Sequence, residues 1–96
     1  MEKELFAAFA NSVRLQLLCC LAKERRNVMD LISNCGLSQS AVSQHLQKLR
    51  NSGLVKTEKE GKNIYYSLVY PKSAVLAKQI KEFIDEVAAA KKSTLS

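Results

Sequence analysis

The sequence predicts a mainly α-helical (α+β) domain with one β-hairpin, in the order α-α-α-α-β-β-α. Three observations predict it. Apolar residues recur at helical spacing through residues 2–10, 13–23, 28–34, 38–52 and again after Pro71. Between the last two stretches, residues 54–68 switch to the two-residue alternation of strands, folded about Glu60-Gly61. Asn, Ser and Gly stand where the helices would start and stop.

Residues 2–10 carry Leu5, Phe6 and Phe9 at helical spacing, a short amphipathic helix. Asn11 is placed to cap the next one. Residues 13–23 (VRLQLLCCLAK) are apolar nearly all round, broken by Arg14 and Gln16. A helix of that kind is enclosed on several sides, so this is the expected core helix. Asn27 and Asp30 bracket the third start as a capping box. Val28, Leu31 and Ile32 continue it to about residue 34, and Gly36 ends it in a left-handed conformation. Ser38 caps the fourth helix, which runs to about residue 52 before Gly53 stops it.

Residues 54–59 and 62–68 read as two strands. Ile64, Tyr66 and Leu68 alternate with Asn63, Tyr65 and Ser67, so the first set is expected to face inward. Pro71 is expected as the first residue of the last helix, where its missing N–H costs nothing. Along that helix Leu76, Ile80, Phe83, Ile84 and Val87 form a narrow stripe, and residues 88–96 are expected to fray. So long a striped helix in so small a protein calls for a partner helix. Together with Leu5, Phe6 and Phe9 it is the expected homodimer interface, formed by residues 1–10 and 71–92 of a single 96-residue domain.

The tight turn at residues 36–37 joins two short helices, which is the logic of a helix-turn-helix over residues 27–52. The hairpin behind it is then a wing over residues 54–68, and the fold a winged helix-turn-helix. At about 100° per residue, Val42, His45, Leu46 and Leu49 share one side of the fourth helix, with Ala41 at its edge. Gln39, Ser40, Ser43, Gln44, Gln47 and Arg50 share the other. A merely solvated face is usually rich in Glu and Lys. This one has short neutral groups that both donate and accept, as base edges in the major groove require, then basic residues suited to phosphates. The face predicts a recognition helix in double-stranded DNA; the plain alternative is an amphipathic helix with a polar outside. Lys48, Arg50, Lys59 and Lys62 are phosphate candidates, and Asn63 joins them at the wing tip, suited to a phosphate or the minor groove. His45 lies beside the reading face but tilts toward the apolar side, where helix packing or a phosphate contact is its expected role.

Composition agrees. The net charge of +6, doubled in a two-fold dimer, favours a polyanion, nucleic acid before an anionic membrane. The apolar runs are far short of a membrane span, and the last helix is too narrowly striped to read as a membrane-surface helix. A charged start (Met1-Glu2-Lys3-Glu4) predicts no secretion signal. Three cysteines without scaffold spacing predict a reducing, cytoplasmic compartment. With one His, no nucleophile elbow, no phosphate loop and no paired carboxylates in apolar surroundings, nothing points to an enzyme. No cofactor is expected.

The strings RLQLLCCL (14–21), LSQSAVSQHLQKLRNSGLV (37–55) and EGKNIYYSL (60–68) resemble the ArsR/SmtB family of bacterial winged-helix repressors, over essentially the whole chain. The resemblance implies a homodimer on an imperfect palindrome, released when an inducer lowers DNA affinity. It places base reading at Ser38, Gln39, Ser40, Ser43 and Gln44, of which Gln39, Ser43 and Gln44 lie on the outward arc. The arsenic-type members carry Cys-Val-Cys-Asp-Leu where this chain has Asn27-Val28-Met29-Asp30-Leu31, so that site is missing. The zinc-type members use His and carboxylates on the last helix, where this chain has no His, so no metal ligand set of the zinc type is expected. Cys19 matches the position of the sensing cysteine in sulfur- and redox-responsive members, without the partner those keep on the last helix.

Cys19, Cys20 and Cys35 are therefore read three ways: as core filler, as a thiol switch, or as a soft-metal or metalloid site. Adjacent Cys19 and Cys20 point about 100° apart on a helix, and Cys35 ends the following helix, from which it could approach one of them. Any small inducer stays unidentified. The competing class of function is a winged-helix module that binds protein.

Overall fold

The structure, a computed structural model, describes residues 2–95. Its elements are α1 (Glu2–Ala8), α2 (Ser12–Cys20), α3 (Val28–Cys35), α4 (Gln39–Asn51), β1 (Val55–Glu60), β2 (Asn63–Leu68) and α5 (Lys72–Leu95). The expected order holds in full. Local chemistry sets the helix starts. Asn11 accepts from the amides of Val13 and Arg14 at 2.9 and 3.1 Å. Asn27 and Asp30 close the capping box in both directions. Ser38 accepts from the Ala41 amide at 3.3 Å. Gly36, at φ 65°, takes the left-handed turn that ends α3 and opens α4.

The core is built on α2. Leu15, Leu17, Leu18 and Leu21 meet Leu31 of α3, Val42, Leu46 and Leu49 of α4, and Ala77 of α5. Removing a side chain of that size from water contributes roughly 1.5–3 kcal/mol, so the buried stripe of α4 is its main anchor. α5 lies along α2 with Ala74 and Ala77 inward. Small residues there let the two helices approach closely.

Several boundaries move. α2 stops at Cys20, not residue 23, because the chain turns at Leu21 to bury that leucine. Pro71 stands one residue before α5 and its carbonyl accepts from Ala74. The tail expected to fray is helical to Leu95; Ala and Lys at residues 88–92 have high helix propensity and sustain it.

The wing pairs in antiparallel register from Val55↔Leu68 to Glu60↔Asn63 about Gly61, φ 63°. Its expected facing holds at the base and fails at the tip. Tyr66 and Leu68 pack against the core, but Ile64 is 49% exposed. A two-stranded hairpin has no second layer to cover its far end. The base is fastened by backbone pairing that periodicity does not predict: Arg26 and Tyr66 exchange N–H···O=C bonds of 3.0 and 2.8 Å. Tyr65, expected outward, is half-buried beneath the Arg25 guanidinium, 4.2 Å from its ring centre.

Candidate DNA interface

α3, the Gly36 turn and α4 form the helix-turn-helix. With Val42, Leu46 and Leu49 buried, the opposite arc of α4 is fixed outward. Ser38, Gln39, Ser40, Ser43, Gln44, Gln47, Lys48 and Arg50 are all exposed. The Ser38 hydroxyl serves the cap as well, so it retains only part of its bonding capacity. Gln47 donates to Asn51 at 3.1 Å along the same helix. The arc offers neutral donors and acceptors in its first half and cations in its last turn.

The wing leaves α4 directly. The Leu54 amide bonds the Leu49 carbonyl, and the Val69 amide bonds the Leu54 carbonyl, fixing the hairpin to the end of α4. Lys59, Lys62 and Asn63 are exposed at its tip. Glu58 and Glu60 on β1 would repel phosphate, but Arg25 reaches both carboxylates, at 3.2 Å for Glu58. That partner comes from the α2–α3 loop and has no signature in the wing's own sequence. Arg26 steadies the same loop by donating to the Cys20 carbonyl at 3.0 Å.

His45 is turned away from the reading arc. Its Nδ1 lies 2.9 Å from a terminal nitrogen of Arg14, a residue of α2 that is only 7% exposed. This contact packs the half-buried ring of His45 between α4 and α2. Arg14 was expected as a break in the apolar core helix and is instead enclosed, held by the carbonyl of Ala7. A lone Arg in an apolar run is the signal that could have marked it.

The expected interface residues divide. Leu5, Phe9 and Ile80 pack on their own core. Phe6, Leu76, Phe83, Ile84 and Val87 are exposed, Phe6 at 77% and Phe83 at 64%. Open clefts of about 310 Å³ each lie beside them, one along Phe9, Leu15 and Ile84 and one along Phe83, Ile84 and Val87.

Cys20 and Cys35 form a disulfide with Cα atoms 6.6 Å apart, and Cys19 is a free, half-buried thiol. Of the approaches the sequence left open to Cys35, the one to Cys20 is realised, because the end of α3 folds back on the end of α2. Gln16 links the bridge to α5, its amide lying 4.0 Å from the Cys20 sulfur and its oxygen accepting from Lys81. Among the described residues no group of three or more His, Cys, Asp or Glu could hold a metal ion.

Residues 11–57 match the family described as bacterial regulatory protein, arsR family. The structure of the transcriptional repressor BigR from Xylella fastidiosa aligns with TM-score 0.72 and 33% identity, over 84% of this chain and 83% of that one. The chain belongs to the ArsR family. The transcriptional activator HlyU of Vibrio cholerae is 50% identical over 64 residues, 67% of this ArsR-family chain and 59% of HlyU. The chain thus spans about three fifths of that curated relative. A homodimeric winged helix-turn-helix DNA-binding domain, Mb0332 of Mycobacterium bovis (fragment 1–100), aligns with TM-score 0.71 and 31% identity, over 90% of this chain and 80% of that one. ArsR-family membership makes the chain a bacterial regulatory protein with a winged helix-turn-helix fold. No helix of the described residues is long and apolar enough to cross a membrane.

Proposed function

We propose that this ArsR-family chain is a sequence-specific transcriptional regulator, a repressor that binds an imperfect palindrome in double-stranded DNA as a homodimer in the bacterial cytoplasm. The observation that carries the reading is the outward arc of α4, whose exposed Ser and Gln side chains match the demands of base edges. Ser38, Gln39, Ser40, Ser43 and Gln44 take the base contacts. Lys48, Arg50, Lys59, Lys62 and Asn63 take the backbone. Residues 1–10 and 71–92 form the interface between copies, supported by the exposed apolar side chains and open clefts along α5. The reading includes no catalytic role.

Release by a thiol-reactive inducer is the regulatory half of this proposal, supported by the bridge that ties α3 to α2. A small-molecule disulfide supplies the oxidation. Cys20 and Cys35 each lose the sulfhydryl proton, an S–S bond forms between their sulfurs, and the small disulfide is reduced to two thiols.

The test is fluorescence anisotropy on duplexes selected from a random pool, with the protein reduced and oxidised, across salt concentrations. The expected result is tight, selective binding by the reduced form, weakened by salt with a steep slope from released counterions, and weakened again on oxidation. Equal binding in both redox states overturns the thiol half. No selective binding in either state overturns the whole and favours a protein-binding module.

A further inference from the structure

The Arg14 guanidinium is enclosed, and among the described residues no carboxylate is ion-paired with it. Burying a cation without a counter-ion costs free energy, and a leucine or methionine would fill the space without that cost. What arginine supplies is a rigid fork with donors on two sides. On one side Nε and one terminal nitrogen donate to the Ala7 carbonyl, at 3.1 and 2.6 Å, where a cation also suits the C-terminal end of a helix. On the other side the second terminal nitrogen meets His45 Nδ1 on α4. Arginine has donors only, so Nδ1 must accept and the ring proton must sit on Nε2.

We infer that Arg14 is a positioning residue for the reading helix: through neutral His45 it clasps α4 to the last turn of α1. The inference rests on the DNA-binding reading and deepens it, because the clasp ties the pose of Gln44 and its neighbours to a helix of the proposed dimer interface. A second proton on His45 turns the acceptor into a donor and sets cation against cation. The charged groups facing the ring are Arg14 from α2 and Lys48 from α4 itself. From α1 comes the Ala7 carbonyl, already held by Arg14, while Glu4 lines the cleft it shares with Arg14 and Lys48. Burial, then Arg14, then Lys48 hold the His45 pKa below its ordinary 6.5. The folded chain therefore binds fewer protons at His45 than the unfolded chain. The clasp's contribution is full above pH 6.5 and is lost as pH falls through the lower folded value.

His45 is the single histidine of the chain, so its ring protons can be followed by NMR without overlap. The expected midpoint in the reduced protein lies below 6.5 and moves up in Arg14→Met. An unchanged midpoint overturns the clasp. In parallel, anisotropy on the selected duplex at pH 8 and pH 5.5 is expected to show the unmodified protein losing affinity about tenfold in acid. His45→Gln, whose amide oxygen accepts without titrating, is expected to hold its own pH 8 affinity at pH 5.5, and carries the test if Arg14→Met does not fold. Tighter binding in acid would mean a His45 cation on phosphate and overturns the clasp, as does the same acid loss in His45→Gln. Equal binding of selected and random duplex at both values overturns the DNA-binding reading instead, while the NMR midpoint still reports on the clasp.

Discussion

α4 and α5 both press one face on α2 and turn the other to solvent, yet the exposed faces differ in kind. α4 presents Gln39, Ser40, Ser43 and Gln44. α5 presents Leu76, Phe83, Ile84 and Val87. Ser and Gln lose little by remaining in water and gain only where a partner offers matched donors and acceptors. Leu, Phe, Ile and Val gain wherever water is removed, without regard to direction. The first face suits a partner that must be read and the second a partner that must only fit, which is why one is proposed for DNA and the other for a second copy.

The largest expected effect lies on α5. Phe83→Asp would place an unpaired charge in the proposed seam, a loss of about 3–5 kcal/mol. Sedimentation velocity should show monomer, with unchanged far-UV circular dichroism because Phe83 is exposed in the protomer. A dimer that persists breaks the comparison. A smaller effect is expected on α4. Gln44→Ala should reduce discrimination between selected and random duplex by about 1–3 kcal/mol while nonspecific affinity stays nearly constant. Competition binding reads this directly; equal weakening on both duplexes would assign Gln44 a backbone role. The smallest is Ser38→Ala, which removes the cap of α4 and should lower stability by about 1 kcal/mol in urea unfolding.

What was legible in the sequence was short-range. The caps at Asn11, Asn27 and Ser38 and the turn at Gly36 join groups two to three residues apart, where residue type decides geometry. The burial of Val42, Leu46 and Leu49 followed from period alone. What was not legible joins distant segments. Arg14 and His45 are 31 residues apart, and Arg25 and Glu58 are 33. Neither pair leaves a periodic trace, and a charged residue in a loop looks solvated until the fold brings its partner. The Cys20–Cys35 bridge, 15 residues apart, depended likewise on how α3 folds back. The split of the interface stripe had a different cause. Period places Ile80 with Phe83 and Ile84, but α5 rolls on α2 so that Ala74, Ala77 and Ile80 face the core.

The pairing of Arg26 with Tyr66 has a mechanical consequence. It sits midway along β2, and Arg25, one residue before Arg26, holds Glu58 and Glu60 of β1, so the hairpin is pinned to a single loop both at its middle and close to its tip. A load on Lys59, Lys62 or Asn63 is thereby passed to the segment between α2 and α3, which works as a strut under the wing.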